Sequence, residues 1–278
     1  RRKAVMTEDP SEVGVIRERG ASNSGLNLGG IGTGGVELWP DGRFHFWNMV
    51  NSRPWATMHT AHPRRKGGHH SIDPIEPGVG HADFFLRVQM PGQRPVYRWL
   101  FTGHGLTTAL GHFFRHHKYF FIRSYPEIEY RAEYPFIYLR YVDPEMPVEV
   151  ALRAWSAFVP RNVKDSSLPG AFLDFTVTNR SPKRAEVSLV WQQENLSGYA
   201  AEEVRQEHTK RRVAGARLVR MAGSLAYPDH DTSGCMSIWA LPSQTQKVTS
   251  VACNPYMPNL IWPIHLTRSE EHTSELQS

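Results

Sequence analysis

The sequence predicts a mainly β protein, a large antiparallel β-sandwich of two packed sheets with long irregular loops. Three observations carry that expectation. Short segments alternate apolar and polar residues with period two. Gly, Pro, Asn and Asp turn signals separate them. One stretch alone reads as helical.

The first element is a glycine run, Asn27-Leu-Gly-Gly-Ile-Gly-Thr-Gly-Gly-Val36, with five glycines between Gly29 and Gly35. Gly30, Gly32 and Gly35 satisfy the G-x-G-x-x-G spacing of a dinucleotide site, which functions only when a helix follows and holds the pyrophosphate. Here Val36 and Leu38 alternate with polar residues, Pro40-Asp41-Gly42 signals a turn, and Phe44 and Phe46 resume the alternation. That is a hairpin, so the run is read as a tight turn or close backbone approach. No His-Arg-Asp or Asp-Phe-Gly triplet supports a kinase loop.

Residues 51–80 show little periodicity and many Pro, Gly and His, and are expected to form a long excursion outside the sheets. Strands are then expected at Phe84–Met90 and Val96–Phe101, around Pro91-Gly92, and at Phe136–Val142. Val148, Val150, Leu152 and Ala154 define one face of another strand. Ala171, Leu173, Phe175 and Val177 define the next, and after the turn 179–184 Val187, Leu189 and Trp191 repeat the pattern, giving a strand–turn–strand unit. The helical candidate is Ala200–Arg212, which lacks a full apolar stripe and reads as a surface helix or charged loop. Met236, Ile238 and Ala240 mark a late strand.

At 278 residues with 40% hydrophobic content the chain can bury a substantial core. Its net charge of +5 is modest, and the basic clusters Arg1-Arg2-Lys3, Arg64-Arg65-Lys66 and Lys210-Arg211-Arg212 form no recognisable nucleic-acid motif. They read as solvated faces, and no nucleic-acid partner is expected. Cys235 and Cys253 are not a C-x-x-C pair, so a free, partly buried pair is expected rather than a zinc site. No apolar run is long enough to span a bilayer, and the compartment is left open.

The polarity switches abruptly after Leu260-Ile-Trp-Pro-Ile-His-Leu266. Residues 268–278, Arg-Ser-Glu-Glu-His-Thr-Ser-Glu-Leu-Gln-Ser, are what a common sequencing-library adapter encodes. They are expected to be such a translation and are excluded from fold reasoning. The domain expectation is a lead segment at 1–22, a β-sandwich at 23–267, and a natural chain continuing past about Thr267.

The residues also resemble a known family. The glycine run followed by Arg43-Phe-His-Phe-Trp47 resembles the opening of glycoside hydrolase family 116, the β-glucosidase and non-lysosomal glucosylceramidase family. Ala132-Glu-Tyr-Pro-Phe136, Asp143-Pro-Glu-Met-Pro-Val-Glu-Val150, Ala157–Gly170 and Phe175-Thr-Val-Thr-Asn179 follow in the family's order. Asp165-Ser-Ser-Leu-Pro169 is the most specific match, and the resemblance covers roughly residues 23 to 260. It departs in the His-rich stretch from His59 to His81 and at Trp191-Gln-Gln-Glu-Asn195. The resemblance implies an N-terminal β-sandwich packed on a C-terminal (α/α)6 barrel that holds the nucleophile Glu and the acid/base Asp. It implies a β-glucoside substrate for the parent enzyme and no metal or organic cofactor. Neither catalytic motif has a counterpart in this chain, so no catalytic, cofactor-binding or metal residue is assigned and the fragment alone is expected to be inactive.

Retaining glycosidases need two carboxyl groups about 5–5.5 Å apart. Glu127 and Glu129 share a strand face read as solvent-facing; Glu145 and Glu149 flank Pro147 and match a structural strand. Asp165 is expected to form an Asx-type turn on its own backbone. His59, His62, His69, His70 and His81 gather near Asp73, Glu76 and Asp83, and His112, His116 and His117 form a second set. Without His-Glu-x-x-His spacing both sets read as surface and loop histidines. Trp39, Trp47, Trp55 and Trp99 could stack on sugar rings, but core packing is the expected role, with Trp55 the best exposed candidate. Two functions follow: the accessory domain of a retaining β-glucosidase-like enzyme, or a stand-alone carbohydrate-binding sandwich without catalysis.

Overall fold

The computed structural model describes residues 14–18, 24–48, 82–102, 122–193, 195–197, 204–225, 233–242 and 246–250. They form a mainly antiparallel β structure. β1 (Ile16–Glu18), β7 (Glu127–Glu133), β8 (Phe136–Val142), β9 (Val148–Trp155) and β10 (Phe172–Asn179) make a five-stranded sheet in the order β1-β7-β8-β9-β10. Three smaller sheets accompany it. They are β2 (Leu26–Leu28), β3 (Gly35–Leu38) and β4 (Phe44–Asn48); β11 (Glu186–Gln193), β5 (Ala82–Gln89) and β6 (Val96–Trp99); and β12 (Val204–Val213), β13 (Ala216–Leu225) and β14 (Gly234–Ala240). One short helix, α1 (Val163–Ser166), follows β9.

Period-two patterning builds the core as expected. In β9 Val148, Val150, Leu152 and Ala154 are buried, while the residues between them are not. Ile128, Tyr130, Ile137, Leu139 and Tyr141 fill the same layer, which meets Leu28, Leu38, Phe44, Phe84 and Leu86 from the smaller sheets in one cluster. The rings of Phe84 on β5 and Phe175 on β10 lie 4.9 Å apart and join the two layers. β5 is buried on both faces. Phe85 turns away from this core to pack with Trp99, Phe101, Ile122 and Val190. Its near-continuous apolar sequence is the signature of a strand covered on two sides.

The hairpin after the glycine run is present: β3 and β4 pair around Pro40-Asp41-Gly42, with a register shift between Gly35 and Glu37. Gly42 has φ of 83°, and an added Cβ would lie 2.6 Å from the Leu100 carbonyl oxygen, so the turn demands glycine twice over.

Two expectations need correction. Where it is described, the Ala200–Arg212 candidate is a strand rather than a helix or charged loop. Its described part is β12, paired from Val204 to Val213 with β13. Ala214 and Gly215 connect them with φ of 48° and 85°, the left-handed pair that a two-residue type I′ hairpin requires. The strand–turn–strand unit around 179–184 is present, and its two strands lie in different sheets: β10 pairs with β9, and β11 with β5. The turn carries the chain from one layer to the other. Cys235 is free but exposed rather than partly buried, because it sits on the edge strand β14. Cys253 and the excursion 51–80 lie outside the described residues.

Candidate functional site

The two most specific sequence segments meet at one end of the sandwich. The glycine run lies against the loop 156–170 after β9. The Gly29 amide donates to Ser156 Oγ (2.7 Å) and the Ile31 amide to the Ser166 carbonyl (2.8 Å). A Cβ on Gly30 would come within 2.6 Å of both the Leu168 carbonyl oxygen and the Ser167 carbonyl carbon. The glycines therefore admit the Asp165-Ser-Ser-Leu-Pro169 backbone, the close-approach role expected of them.

The loop is held from within. Asn162 caps α1: its side chain accepts the Asp165 amide (3.1 Å) and its Nδ2 donates to Asp165 Oδ2 (2.6 Å). This corrects the Asx-turn expectation. Asp165 turns back onto the cap residue rather than capping its own backbone, since an acceptor at the position before the helix satisfies the free N–H groups of its first turn. Ser166 is 2% exposed; its Oγ accepts from the Val159 amide (2.9 Å) and donates to the Val159 carbonyl (3.0 Å).

Exposed apolar side chains stand beside this polar frame, together with the exposed charges of Arg161, Lys164 and Asp165. Ile31, Phe158, Val159, Val163 and Leu168 are all exposed, Val163 most at 73%. Tyr134 is exposed too, with its ring 5.1 Å from Phe158. Isolated exposed apolar side chains are ordinary, whereas a group on two joined segments marks a contact surface.

Three of the carboxylates singled out in sequence, Glu129, Glu145 and Glu149, are committed to arginines. Glu129 accepts from Arg17 (3.3 Å) and Arg140 (2.7 Å by Nε). Glu145 bonds Arg98 (2.7 Å) and Arg123 (3.1 Å), and Glu149 pairs with Arg180 (2.6 Å). Glu127 lies on the same partly exposed face as Glu129. Trp47 and Trp99 are buried in the core, as the packing reading has it. Trp39 is half-buried, stacked on His45 at 3.9 Å and donating to Glu37 (2.8 Å). Trp55 and the histidines 59–81 and 112–117 lie outside the described residues. Among the described residues no group of three His, Cys, Asp or Glu side chains is placed to hold a metal.

Sequence reasoning missed a buried polar cluster at the β3–β4 turn. His45 Nε2 and Asp41 Oδ2 are 2.9 Å apart, Asp41 Oδ1 accepts the Arg43 amide (2.9 Å), and the Arg43 guanidinium stacks 3.7 Å from the Phe101 ring centroid. Burial pushes the Arg43 pKa down, and Asp83 and Asp41 oppose that shift. The available signal was Asp41 and His45 on either side of a tight turn.

A groove of about 490 Å³ runs along the outer face of the five-stranded sheet, past Glu129, Arg131, Tyr138, Arg140, Arg153 and Asp174. At its end Phe136, Trp155 and Phe172 stand in register on adjacent strands. Trp155 and Phe172 stack on each other at 4.2 Å and 15°, so each occupies a face of the other.

Comparison with known proteins agrees with this architecture. Residues 25–262 match the family model described as beta-glucosidase 2, glycosyl-hydrolase family 116 N-term. No curated protein matches the chain. The match spans both segments that build the apolar end, and the chain belongs to glycosyl hydrolase family 116, as that family's N-terminal domain.

Proposed function

We propose that this β-sandwich is an accessory domain of a retaining β-glucosidase-like enzyme, buttressing a catalytic (α/α)6 barrel outside residues 23–267. The observation that carries the reading is the apolar end built from the glycine run and the Asp165–Pro169 loop. Ile31, Phe158, Val159, Val163 and Leu168 expose carbon on a frame whose polar atoms are bonded internally. Burying such a surface against a second domain removes apolar area from water at about 25 cal/mol per Å². The internal bonds keep the loop shaped before docking, which lowers the ordering cost. Chemistry belongs to the barrel. Glu129, Glu145 and Glu149 are each engaged by arginines in ion pairs of this sandwich.

Two measurements test this. The 278-residue chain should not hydrolyse a nitrophenyl β-glucoside, and clear turnover would refute the assignment of chemistry elsewhere. Reading the parent coding sequence past residue 267 should reveal a helical-repeat region with spaced Glu and Asp motifs. A stop codon soon after Thr267 would sink the reading.

The second reading, a stand-alone carbohydrate-binding sandwich, draws on the groove past Tyr138, with Trp155 in the next same-face row of the sheet. The mutual stacking of Trp155 and Phe172 counts against it, because it takes one face of each ring away from a sugar. Calorimetry with glucosides should show no binding to this face, and saturable binding lost in Tyr138→Ala would favour this second reading.

A further inference from the structure

The β12–β13 hairpin concentrates the positive charge of the chain. Residues 204–225 carry Arg205, Lys210, Arg211, Arg212, Arg217 and Arg220 against one acid, Glu207, which equals the whole chain's net +5. Elsewhere the chain is therefore electrically balanced. Glu207 is spoken for by Arg205 at 3.8 Å. Arg212 stands directly opposite Arg217, a like-charged cross-strand pair that costs folding energy.

The same end of this sheet exposes large apolar side chains. Trp239 is 50% exposed, Leu241 73% and Val213 41%. Arg211, Leu218 and Trp239 form one row across the three strands, and Arg212, Arg217 and Ala240 form the next. Val213 sits opposite Ala216 at the hairpin turn. Side chains alternate faces along a strand, so Arg211, Val213 and Trp239 lie on one face of this tip and Arg212 and Arg217 on the other, and the tip as a whole carries both arginine and exposed apolar groups.

We propose that this tip docks onto the surface of an anionic phospholipid membrane. Arg211, Arg212 and Arg217 would meet the lipid phosphates and carboxylates, while Trp239, Leu241 and Val213 enter the headgroup region. Basic residues alone would suit any polyanion. The apolar residues decide between them: a phosphate backbone offers Val213 and Leu241 nothing, whereas an interface buries them, and an indole with a polar N–H favours that boundary. A like-charged Arg212–Arg217 pair is stabilised where anionic headgroups lie close. The inference does not rest on the glycosidase reading and concerns a different sheet.

The test uses the 278-residue chain with phosphatidylcholine vesicles, with and without phosphatidylserine, in co-sedimentation and fluorescence. Binding should favour the phosphatidylserine vesicles more than about tenfold and weaken with salt, since each basic residue is worth roughly fivefold near such a surface. Arg211→Glu with Arg212→Glu should lower partitioning by more than about tenfold, whereas Arg211→Lys with Arg212→Lys should retain most of it. Brominated lipid should quench tryptophan emission in the unchanged chain but not in Trp239→Phe. Equal binding to both vesicle types, quenching that persists without Trp239, or binding to duplex DNA in place of vesicles would each overturn the proposal. Binding to neither would overturn it as well.

Discussion

The Ile31 amide donates to the Ser166 carbonyl across 2.8 Å, and this bond joins the two segments that most define the chain. The approach is close because Gly30 beside it has no side chain: a Cβ there would press on Leu168 and Ser167 backbone atoms at 2.6 Å. A spacing that suggests a phosphate cradle instead receives a neighbouring loop. The bond orders that loop and so fixes where Phe158, Val159, Val163 and Leu168 face solvent.

Gly30→Ala should therefore destabilise the domain by about 1–3 kcal/mol, the usual cost of forcing atoms into a packed site. Gly32 is the control. Its φ of 71° is unfavourable for alanine, yet a Cβ there meets nothing within 4 Å. Gly32→Ala should cost only ~1 kcal/mol, the backbone penalty alone. Chemical denaturation of the two variants measures the difference, and equal midpoints would show that the close approach does not matter.

Ser166→Ala should cost more than Ser167→Ala. Ser166 Oγ bonds both polar backbone groups of Val159, and its removal leaves a partly buried N–H and C=O without that partner. The expected loss is about 1–3 kcal/mol. Amide exchange at Val159 should rise sharply in the Ser166 variant, and an unchanged rate would count against the clamp.

What was legible in the sequence was the side-chain face, not the partner strand. Val148, Val150, Leu152 and Ala154 announce β9 because one face is buried and the other is not. The Pro40-Asp41-Gly42 turn announces its hairpin because few residues tolerate that backbone. β12 stayed hidden because Arg205, Glu207, His208, Lys210, Arg211 and Arg212 are polar on both faces, so alternation carries no apolar signal there. The parting of β10 and β11 into separate sheets is likewise absent from alternation, which looks the same whichever neighbour supplies the hydrogen bonds. At the candidate site each segment could be read alone. Their meeting could not, because it depends on backbone groups at Ile31 and Ser166, far apart in sequence. The Asn162 cap was within reach, since an Asn three residues before an acid is a helix-start signal.

Arg98 offers a sharper contrast between buried and exposed charge. It donates to Asp143 at 2.7 Å and to Glu145 at 2.7 Å, with Arg98 and Asp143 side chains 8% and 4% exposed. Arg123 reaches the same Glu145 from a side chain 72% exposed. Asp143→Ala leaves the buried guanidinium with the exposed Glu145 as its counter-charge and should cost about 1.5–3 kcal/mol. Arg123→Ala removes a solvated pair and should cost at most about 1 kcal/mol. Similar losses in thermal or urea unfolding would contradict this ranking.

The core tyrosines set an alkaline limit. Burial raises the Tyr125, Tyr130 and Tyr141 phenols above their usual 10, Tyr130 to about 12. Asp143 adds to the shift at Tyr125, and Tyr125, 5.3 Å away ring to ring, adds to it at Tyr141. Each folded pKa lies above the unfolded one, so between the two values the native state holds more protons. Stability is then unaffected below pH 10 and falls as pH climbs past it, by at most about 1.4 kcal/mol per pH unit for each buried phenol. Urea midpoints should be flat from these groups up to about pH 10 and drop steadily toward pH 12. Tyr141→Phe should soften that drop, because it removes the ionisable group from the core while leaving the ring. An alkaline limb of equal slope in Tyr141→Phe would show that Tyr141 does not contribute to it.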